Sequence, residues 1–322
     1  MPQVSILMSV YNGMPYLPEA VNSILNLTFQ DFTLLIINDG STDGSAAYLN
    51  RLADPRVKVT HLARNVGQGA ARNIGLALCK TEFTAIADAD DVALPYRIAT
   101  QLNFLSQHRE VGTVGSQFAY LGPSGRTGFS PRLPCDHETI YADLLRVRHS
   151  LCHATIACRS ALLRQIGGYR ISGCGEDWDM MLRIGEVSRL ANVDRVLYLY
   201  RLHPKSANAT KLAEIQVGCA YASHNAKCRA RNRPETTLAD FVAAQPAQSF
   251  WRHMADWVDG YAFTQYRQAL LEVLSARKLR GYARLGWAAL CSPRRTWQRI
   301  RRLAREYTNG EPREHRFRHE AK

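Results

Sequence analysis

The 322-residue sequence has no run of about eighteen apolar residues, so we predict no transmembrane helix. The N-terminus lacks a basic region followed by a long apolar stretch and a small-residue cleavage site, and we predict a buried strand there rather than a signal peptide. The eight cysteines form neither a C-x-x-C pair nor a zinc-type spacing. Because a chain of this length does not need disulfides to be stable, we expect reduced thiols and a cytoplasmic location.

Acidic residues are absent from one basic stretch near the C-terminus. Ten Arg and Lys, and no Asp or Glu, lie between Arg277 and Arg305, whereas residues 306–322 carry four charges of each sign. Since the net charge of the whole chain is +13, the first 276 residues carry only +3. The basic character is therefore local, and it requires a local explanation.

Strand-like and helix-like apolar patterns alternate along the N-terminal third. The predicted strands are Val4–Val10, Phe32–Ile37, Val57–Leu62 and Phe83–Ala87, and the predicted helices are Pro15–Leu27, Gly67–Cys79 and Pro95–His108. Later strands are predicted at Thr113–Tyr120, Ala154–Cys158 and Ala191–Tyr200, and later helices at Glu138–Arg146, Ser160–Ile166 and Asp177–Glu186. This alternation predicts an α/β fold with a mostly parallel, Rossmann-like central sheet that is covered on both faces.

The pattern divides the chain into two regions. We expect a nucleotide-binding α/β domain over residues 1–208 and an all-helical C-terminal region over residues 209–322. In parallel sheets, ligands bind beyond the carboxyl ends of the strands. The segments Ser9–Tyr11, Asn38–Gly40 and Asp88–Asp91 all follow predicted strands, and we expect them to converge on one side.

The segment Asp88–Asp91 places three carboxylates within four residues. Like charges at this spacing are costly unless a positive charge neutralises them. Mg²⁺ and Mn²⁺ prefer oxygen ligands and commonly bridge carboxylates to substrate phosphates, so the cluster indicates a metal site. The alternative is a solvated loop whose aspartates cap the helix that begins at Pro95.

Taken together, five groups of residues resemble the family 2 glycosyltransferases, which have the GT-A fold. The groups are Val4–Ile6 with Tyr11–Asn12, Ile37–Asp43, Asn65–Gly67 with Ala71–Gly75, Asp88–Asp91, and Gly167–Tyr169 with Gly175–Trp178. Each group alone is a weak signal, but all five occur in the order and at the spacing of the family, over about residues 3–205.

The resemblance implies a site for a nucleoside-diphosphate sugar, which we expect to be a UDP-sugar. It assigns the base and ribose contacts to Ser9, Tyr11 and Asp39, adds Arg72 to the nucleotide pocket, and makes Asp88 face the ribose. The alternative for Tyr11 is a packing residue at a strand end. The alternative for Arg72 is an arginine on a helix surface.

The resemblance also implies a Mn²⁺ or Mg²⁺ ion, held by Asp90 and by a late histidine, His203, while Asp91 orients the loop. The alternative for His203 is a purely structural histidine. Glu176 and Asp177 resemble the E-D pair of the family, in which the aspartate is the general base. Such a carboxylate takes the acceptor hydroxyl proton as the oxygen attacks the anomeric carbon, and direct displacement inverts that centre. The alternative for Asp177 is a helix-capping role.

Two departures from the family pattern bear on function. Asn38 stands where many relatives have aspartate, and the Q-x-x-R-W motif of processive synthases is missing. We therefore expect transfer of one sugar per turnover, to a hydroxyl of a glycan or lipid-linked acceptor in cell-envelope polysaccharide synthesis. A nucleotidyltransferase is a rival, but the loop Tyr11–Pro15 lacks the basic residues that would hold a triphosphate. A second rival is a catalytically degenerate adaptor that binds membrane or nucleic acid.

The basic segment 277–305 has the pattern of amphipathic helices. Leu279, Tyr282, Ala283, Gly286, Trp287 and Leu290 share one helical face, with Arg280 and Arg284 beside it. Basic amphipathic helices with tryptophan suit an anionic membrane surface, so we favour peripheral binding to the inner face of the cell membrane. The alternatives are helices packed on the catalytic domain and nucleic-acid binding, and we do not expect a nucleic-acid partner.

Overall fold

The computed structural model divides the chain into two compact units, Met1–Ala244 and Gln245–Lys322. It describes residues 2–122, 125–126, 131–170, 173–203, 206, 210–244, 258, 262, 265, 269, 272 and 278–293. The predicted site residues all lie in the first unit. Residues 294–305 of the basic segment lie outside the described residues.

The first unit is built on a nine-stranded sheet in the order β3-β2-β1-β4-β8-β6-β9-β5, with β7 paired to β6. The strands are β1 Val4–Val10, β2 Phe32–Asn38, β3 Val57–His61, β4 Phe83–Asp88, β5 Val92–Ala93, β6 Val111–Gly122, β7 Gly125–Arg126, β8 Ala157–Arg159 and β9 Arg189–Arg201. Strands β1 to β4 are mutually parallel, β6 and β9 form a second parallel pair, and β5, β7 and β8 pair antiparallel. The predicted α/β fold with a mostly parallel sheet is confirmed.

Helices lie on both faces of this sheet and continue to the end of the unit. They are α1 Leu17–Leu25, α2 Ser45–Leu49, α3 Gln68–Leu78, α4 Arg97–Gln107, α5 His137–Leu144, α6 Ser160–Gln165, α7 Glu176–Val187, α8 Leu212–Arg229 and α9 Leu238–Ala243. In the second unit the structure describes helix α10, Lys278–Cys291. Within the described ranges, each helix is too short or too polar to traverse a lipid bilayer.

Strand β1 shows why the sheet is covered on both faces. Successive side chains of a strand point to opposite faces, and β1 has buried residues at both sets of positions. Val4, Ile6 and Met8 belong to one buried cluster, which also contains residues of α1 and α4. Leu7 belongs to the second cluster, which contains residues of α3, α7 and α8. The sheet therefore has an apolar core on each side.

The strand predicted at Ala154–Cys158 is partly wrong. The structure has a 3₁₀ turn at His153–Thr155, followed by β8 over Ala157–Arg159. Both the amide and the hydroxyl of Thr155 donate to the carbonyl of Cys152, at 3.0 and 2.8 Å. This local pair of bonds closes a turn in a stretch whose composition is that of a strand.

The first unit extends past the expected boundary at residue 208, because α8 packs on α7. The contact between them includes two glycines. A Cβ on Gly218 of α8 would lie 1.9 Å from the carbonyl oxygen of Cys174, and one on Gly175 would lie 2.5 Å from the carbonyl carbon of Gly218. Gly175 also has φ +94, a conformation that L side chains rarely adopt. The helix α8 therefore belongs with the α/β unit.

We expect Gly218→Ala to lower the free energy of unfolding by about 1–3 kcal/mol, because the new methyl group must displace backbone atoms. The matched control is Gly286→Ala in α10, where the added Cβ meets nothing within 4 Å. There the gain in helix propensity should leave stability unchanged or raise it by about 0.5–1 kcal/mol. Urea unfolding of the full chain measures both variants. Equal stability of Gly218→Ala and the parent protein would contradict the close contact.

Candidate active site

Parallel pairing brings the three predicted loops together at one edge of the sheet. Ser9 on β1 lies opposite Ile37 on β2 and opposite Asp88 at the end of β4. Val10 lies opposite Asn38 in the same register. The strands therefore end level with one another, and the expected convergence of the loops is confirmed.

The side chain of Tyr11 projects from this edge and is 53% exposed. The loop that carries it is fixed by its neighbour Asn12, whose side-chain oxygen accepts from the backbone N–H of Thr42 at 2.8 Å. In return, the backbone N–H of Asn12 donates to the hydroxyl of Ser41 at 3.0 Å. Tyr11 thus stands open on a constrained loop, and this position does not suit a packing residue.

The loop after β2 is held by buried polar side chains. The two carboxylate oxygens of Asp39 accept from the backbone N–H groups of Val66 and Gly67, at 2.7 and 3.1 Å. The side-chain nitrogen of Asn38 lies 2.9 Å from Nδ1 of His61. An amide suits this position because it offers a donor that a carboxylate does not. Asp39 therefore joins the loops after β2 and β3, and contact between Asp39 and a nucleotide stays a prediction.

Arg72 is not an exposed helix residue, since only 3% of it is accessible. Its guanidinium spans two carboxylates: one nitrogen lies 3.1 Å from Oδ1 of Asp88, and the other lies 3.3 Å from Oε1 of Glu176. Burial raises the pKa of Asp88, and the charge of Arg72 opposes that rise. Burial, followed by the charge of Asp177, raises the pKa of Glu176 to about 7 against the opposing effect of Arg72. The arginine is therefore the cation that makes this group of carboxylates tolerable.

The acidic loop after β4 gathers its three carboxylates tightly. The nearest available oxygens of Asp88, Asp90 and Asp91 all lie within 4.8 Å of one another. His203, more than a hundred residues away in sequence, lies with Nε2 2.8 Å from Oδ2 of Asp90. The structure thus brings both predicted metal ligands, Asp90 and His203, into contact.

The residues of this cluster fit a hard divalent cation. Burial, followed by the charges of Asp90 and Asp88, raises the pKa of Asp91 well above its usual range. One oxygen of Asp91 accepts from the backbone N–H of Arg201 at 2.7 Å. Its other oxygen and Nδ1 of His203 are buried without a partner among the described residues. Buried polar atoms of this kind are those that an ion or water satisfies, and oxygen-rich donor sets suit Mg²⁺ and Mn²⁺.

Glu176 and Asp177 form the first turn of α7, after Gly175 at the N-cap. Glu176 is buried against Arg72, whereas Asp177 is half-buried and its Oδ1 accepts from the backbone N–H of Trp178 at 2.7 Å. The capping position itself belongs to the glycine. Asp177 therefore keeps an oxygen for other chemistry while its carboxylate is anchored at the helix start.

Several supporting residues were not predicted from the sequence. The guanidinium of Arg201 donates to the carbonyl of Asp90 at 2.6 Å, and the hydroxyl of Tyr198 accepts from the backbone N–H of Asp88 at 3.0 Å. His153 and Tyr169 are joined through their polar ends at 2.7 Å. Two signals were present in the sequence. Tyr169 belongs to the Gly167–Tyr169 group of the resemblance, and Tyr198 and Arg201 lie close to His203 at the end of a predicted strand.

These loops lie at the carboxyl ends of a mostly parallel sheet, and they bring a carboxylate triad close to a second acidic pair on a GT-A-like fold. The model of glycosyl transferase family 2 matches residues 5–167, and this chain belongs to that family. The O-antigen biosynthesis glycosyltransferase WbnJ of Escherichia coli is 30% identical over 65% of this chain and 84% of its own length.

Solved structures of similar fold extend over most of the chain. S. aureus TarS 1-349 in complex with UDP-GlcNAc matches with a TM-score of 0.56 and 16% identity, over 88% of each chain. The mannosyltransferase PcManGT from Pyrobaculum calidifontis, in complex with GDP-Man and Mn²⁺, matches with a TM-score of 0.52 and 16% identity, over 89% of this chain and 87% of its own. At these identities the likeness shows the fold.

Other curated relatives are longer than the segment they share with this chain. The chain spans 66% and 47% of two uncharacterized glycosyltransferases of Haemophilus influenzae, to which it is 28% and 40% identical. The matched segments cover 63% and 36% of this chain.

Proposed function

We propose that this protein is an inverting glycosyltransferase that moves one sugar from a UDP-sugar to a hydroxyl of a glycan or lipid-linked acceptor in cell-envelope polysaccharide synthesis. The observation that carries the proposal is the meeting of the acidic loop after β4 with the start of α7, through Arg72 between Asp88 and Glu176. The name of the O-antigen relative and the nucleotide sugars bound to the structural neighbours support the same assignment.

The donor would lie across the carboxyl ends of β1, β2 and β4. The open ring of Tyr11 offers a face on which a base can stack. Ser9 and Asp88, which are opposite each other in the sheet, are within reach of a ribose at the same edge. Asp39 fixes the loop that carries Val66 and Gly67, and it thereby shapes the wall of the base pocket.

Asp90 and His203 would hold a Mn²⁺ or Mg²⁺ ion. When bound, this ion would neutralise the charge that develops on the leaving diphosphate. The protein itself fixes the acidic loop that carries Asp90. The guanidinium of Arg201 holds the backbone of Asp90, and the backbone N–H of the same arginine holds Asp91.

Asp177 is the proposed general base. As the acceptor oxygen forms its bond to the anomeric carbon, the bond from that carbon to the diphosphate oxygen breaks, and the hydroxyl proton passes to Asp177. Displacement from the face opposite the leaving group inverts the centre. Glu176 does not compete for this role, because its carboxylate is buried against Arg72.

We expect Asp177→Asn to lower the transfer rate by about a hundredfold to ten-thousandfold, because an amide cannot accept the proton. Binding of UDP should persist, since the change leaves the donor loops intact. Transfer assays and calorimetric titration measure the two effects. The matched control is Asp31→Asn, an exposed aspartate before β2, which should transfer at the parent rate. Normal turnover of Asp177→Asn would remove Asp177 as the base.

For the metal, we expect one of UDP, GDP, dTDP and CDP to bind tightly with Mn²⁺ and weakly with EDTA. Asp90→Ala should lose about tenfold or more of the Mn²⁺-dependent affinity, and Asp31→Ala should lose none. Calorimetric titration measures each pair. Equal affinity with Mn²⁺ and EDTA in the parent protein would contradict the metal role. Failure to bind any nucleotide would favour the degenerate adaptor.

We also propose that the second unit binds an anionic membrane surface at the inner face of the cell membrane. In α10, Leu279, Tyr282, Trp287 and Leu290 are 87%, 59%, 53% and 75% exposed, and they lie on one face of the helix. Ala288, on another face, is buried. Arg280 and Arg284 pair with Glu272 at 3.6 and 3.0 Å. An exposed apolar face in a basic segment matches anionic lipid.

We expect the full chain to bind vesicles that contain phosphatidylglycerol and to release them at high salt. Replacing Leu279 and Leu290 by serine should weaken binding about tenfold or more, because the variant would no longer bury two apolar side chains in the lipid. Replacing Arg299, Arg301 and Arg302 by glutamine should weaken it about a hundredfold, at about 1 kcal/mol per arginine. Sedimentation with vesicles measures both variants.

The matched control for the leucines is Leu238→Ser with Val242→Ser, which removes exposed apolar residues from α9 and should leave vesicle binding unchanged. Equal binding to neutral phosphatidylcholine vesicles would contradict the electrostatic part of the proposal. Retention on DNA or heparin without vesicle binding would contradict it entirely.

A further inference from the structure

Two sequence motifs that the proposed chemistry does not use meet beside Arg72. Asn73, the next residue on α3, donates from Nδ2 to the carbonyl of Tyr169 at 2.7 Å. The backbone N–H of Tyr169 donates back to Oδ1 of Asn73 at 2.9 Å. Gly168 has φ +66, and a Cβ there would lie 2.4 Å from Oδ1 of Asn73. The amide side chain thus fixes the backbone of Tyr169, at a place where the preceding residue must be glycine.

The ring of Tyr169 lies against the guanidinium of Arg72. The central carbon of the guanidinium is 5.5 Å from the ring centroid, and Tyr169 is buried. At its far end, the Tyr169 hydroxyl is 2.7 Å from Nε2 of His153. Burial, with the nearby charge of Arg72, lowers the pKa of His153 well below its usual range, so this imidazole is neutral. Tyr169 is therefore fixed at its backbone by Asn73 and at its tip by His153.

The side chain of Arg72 is long and must contact two carboxylates, so it requires a neighbour that holds it in one conformation. Its guanidinium must meet Asp88 at the end of β4 and Glu176 at the start of α7 at the same time. A long side chain that holds one geometry loses rotamer entropy, and an aromatic face offsets part of that loss by a cation–π contact. The planar fork of arginine then sets the separation of the two carboxylates.

We propose that Tyr169, fixed by Asn73 and His153, is a positioning residue that holds Arg72 between Asp88 and Glu176 and so aligns the base-bearing end of α7 with the acidic loop. The inference rests on the proposed glycosyl transfer. It adds that the stretch Gly167–Tyr169, to which we assign no contact with the donor or the metal, controls the alignment of the base with the donor.

The test compares Tyr169→Leu with Tyr169→Phe in the full chain. Leucine removes the aromatic face, and we expect kcat to fall about tenfold to a hundredfold, because misplaced catalytic groups lose rate. The calorimetric Kd for UDP with Mn²⁺ should rise by a smaller factor than kcat falls, since the proposed donor and metal contacts of Ser9, Tyr11 and Asp90 are not made through Arg72. Phenylalanine keeps the face and loses only the hydroxyl, so its kcat should stay within about fivefold of the parent, a loss on the scale of one hydrogen bond.

Asn73→Ala supplies an independent variant if Tyr169→Leu fails to fold, because Asn73 is only half-buried. It should also lower kcat more than it weakens UDP binding. Parent-like kcat in a folded variant that lacks the ring or the amide would overturn the inference, as would equal losses of kcat and UDP affinity. These results leave the proposed function intact. A parent protein that transfers no sugar would instead remove the proposed function, and this inference with it.

Discussion

The structure of the site depends on one buried cation. Removing a charged group from water costs several kcal/mol, and the buried guanidinium of Arg72 recovers that cost from Asp88 and Glu176, with a further contribution from the ring of Tyr169. Glu176 is 104 residues from Arg72 in sequence, and it is carried by a different helix. The ion pairs therefore form only when α3, β4 and α7 are all in place. The interaction that makes the buried arginine tolerable is the same one that sets the acidic loop against the acidic start of α7.

Hydrogen bonds of buried polar groups hold the loops around this cation, since such groups must have hydrogen-bond partners. Asp39 accepts from two backbone amides of the loop after β3. Behind the acidic loop, the guanidinium of Arg97 donates to the carbonyl of Ile86 at 2.6 Å and lies 4.8 Å from the ring centroid of Tyr198. These contacts are made to backbone and to core residues, so the loops that carry the carboxylates are attached to the packed core. A site that concentrates like charges needs this, because repulsion would otherwise spread the loop.

Local pattern was enough to predict the longer strands and most helices. It also predicted the meeting of three loops, because β1, β2 and β4 are parallel and end level. It was not enough for α8, whose buried residues include Gly218, Ala222 and Ala226. Small residues do not form an apolar face that is recognisable in the sequence. We therefore assigned this helix to a separate C-terminal region, although it packs on α7. The contact of Tyr169 with His153 was also missed. This contact connects a glycine-rich loop to a turn, part of which was predicted to be a strand. The periodicity of a local sequence does not predict contacts of this kind.

The family match ends at residue 167, before Glu176, Asp177 and His203. The N-cap glycine of α7, Gly175, lies against Gly218 of α8 so closely that neither position accommodates a Cβ without displacing backbone. The start of α7 is thus fixed on one side by Arg72, from within the matched region, and on the other by a helix outside it. We therefore expect sequence changes in α8 to shift the proposed base, Asp177, without altering any residue that is proposed to contact the donor.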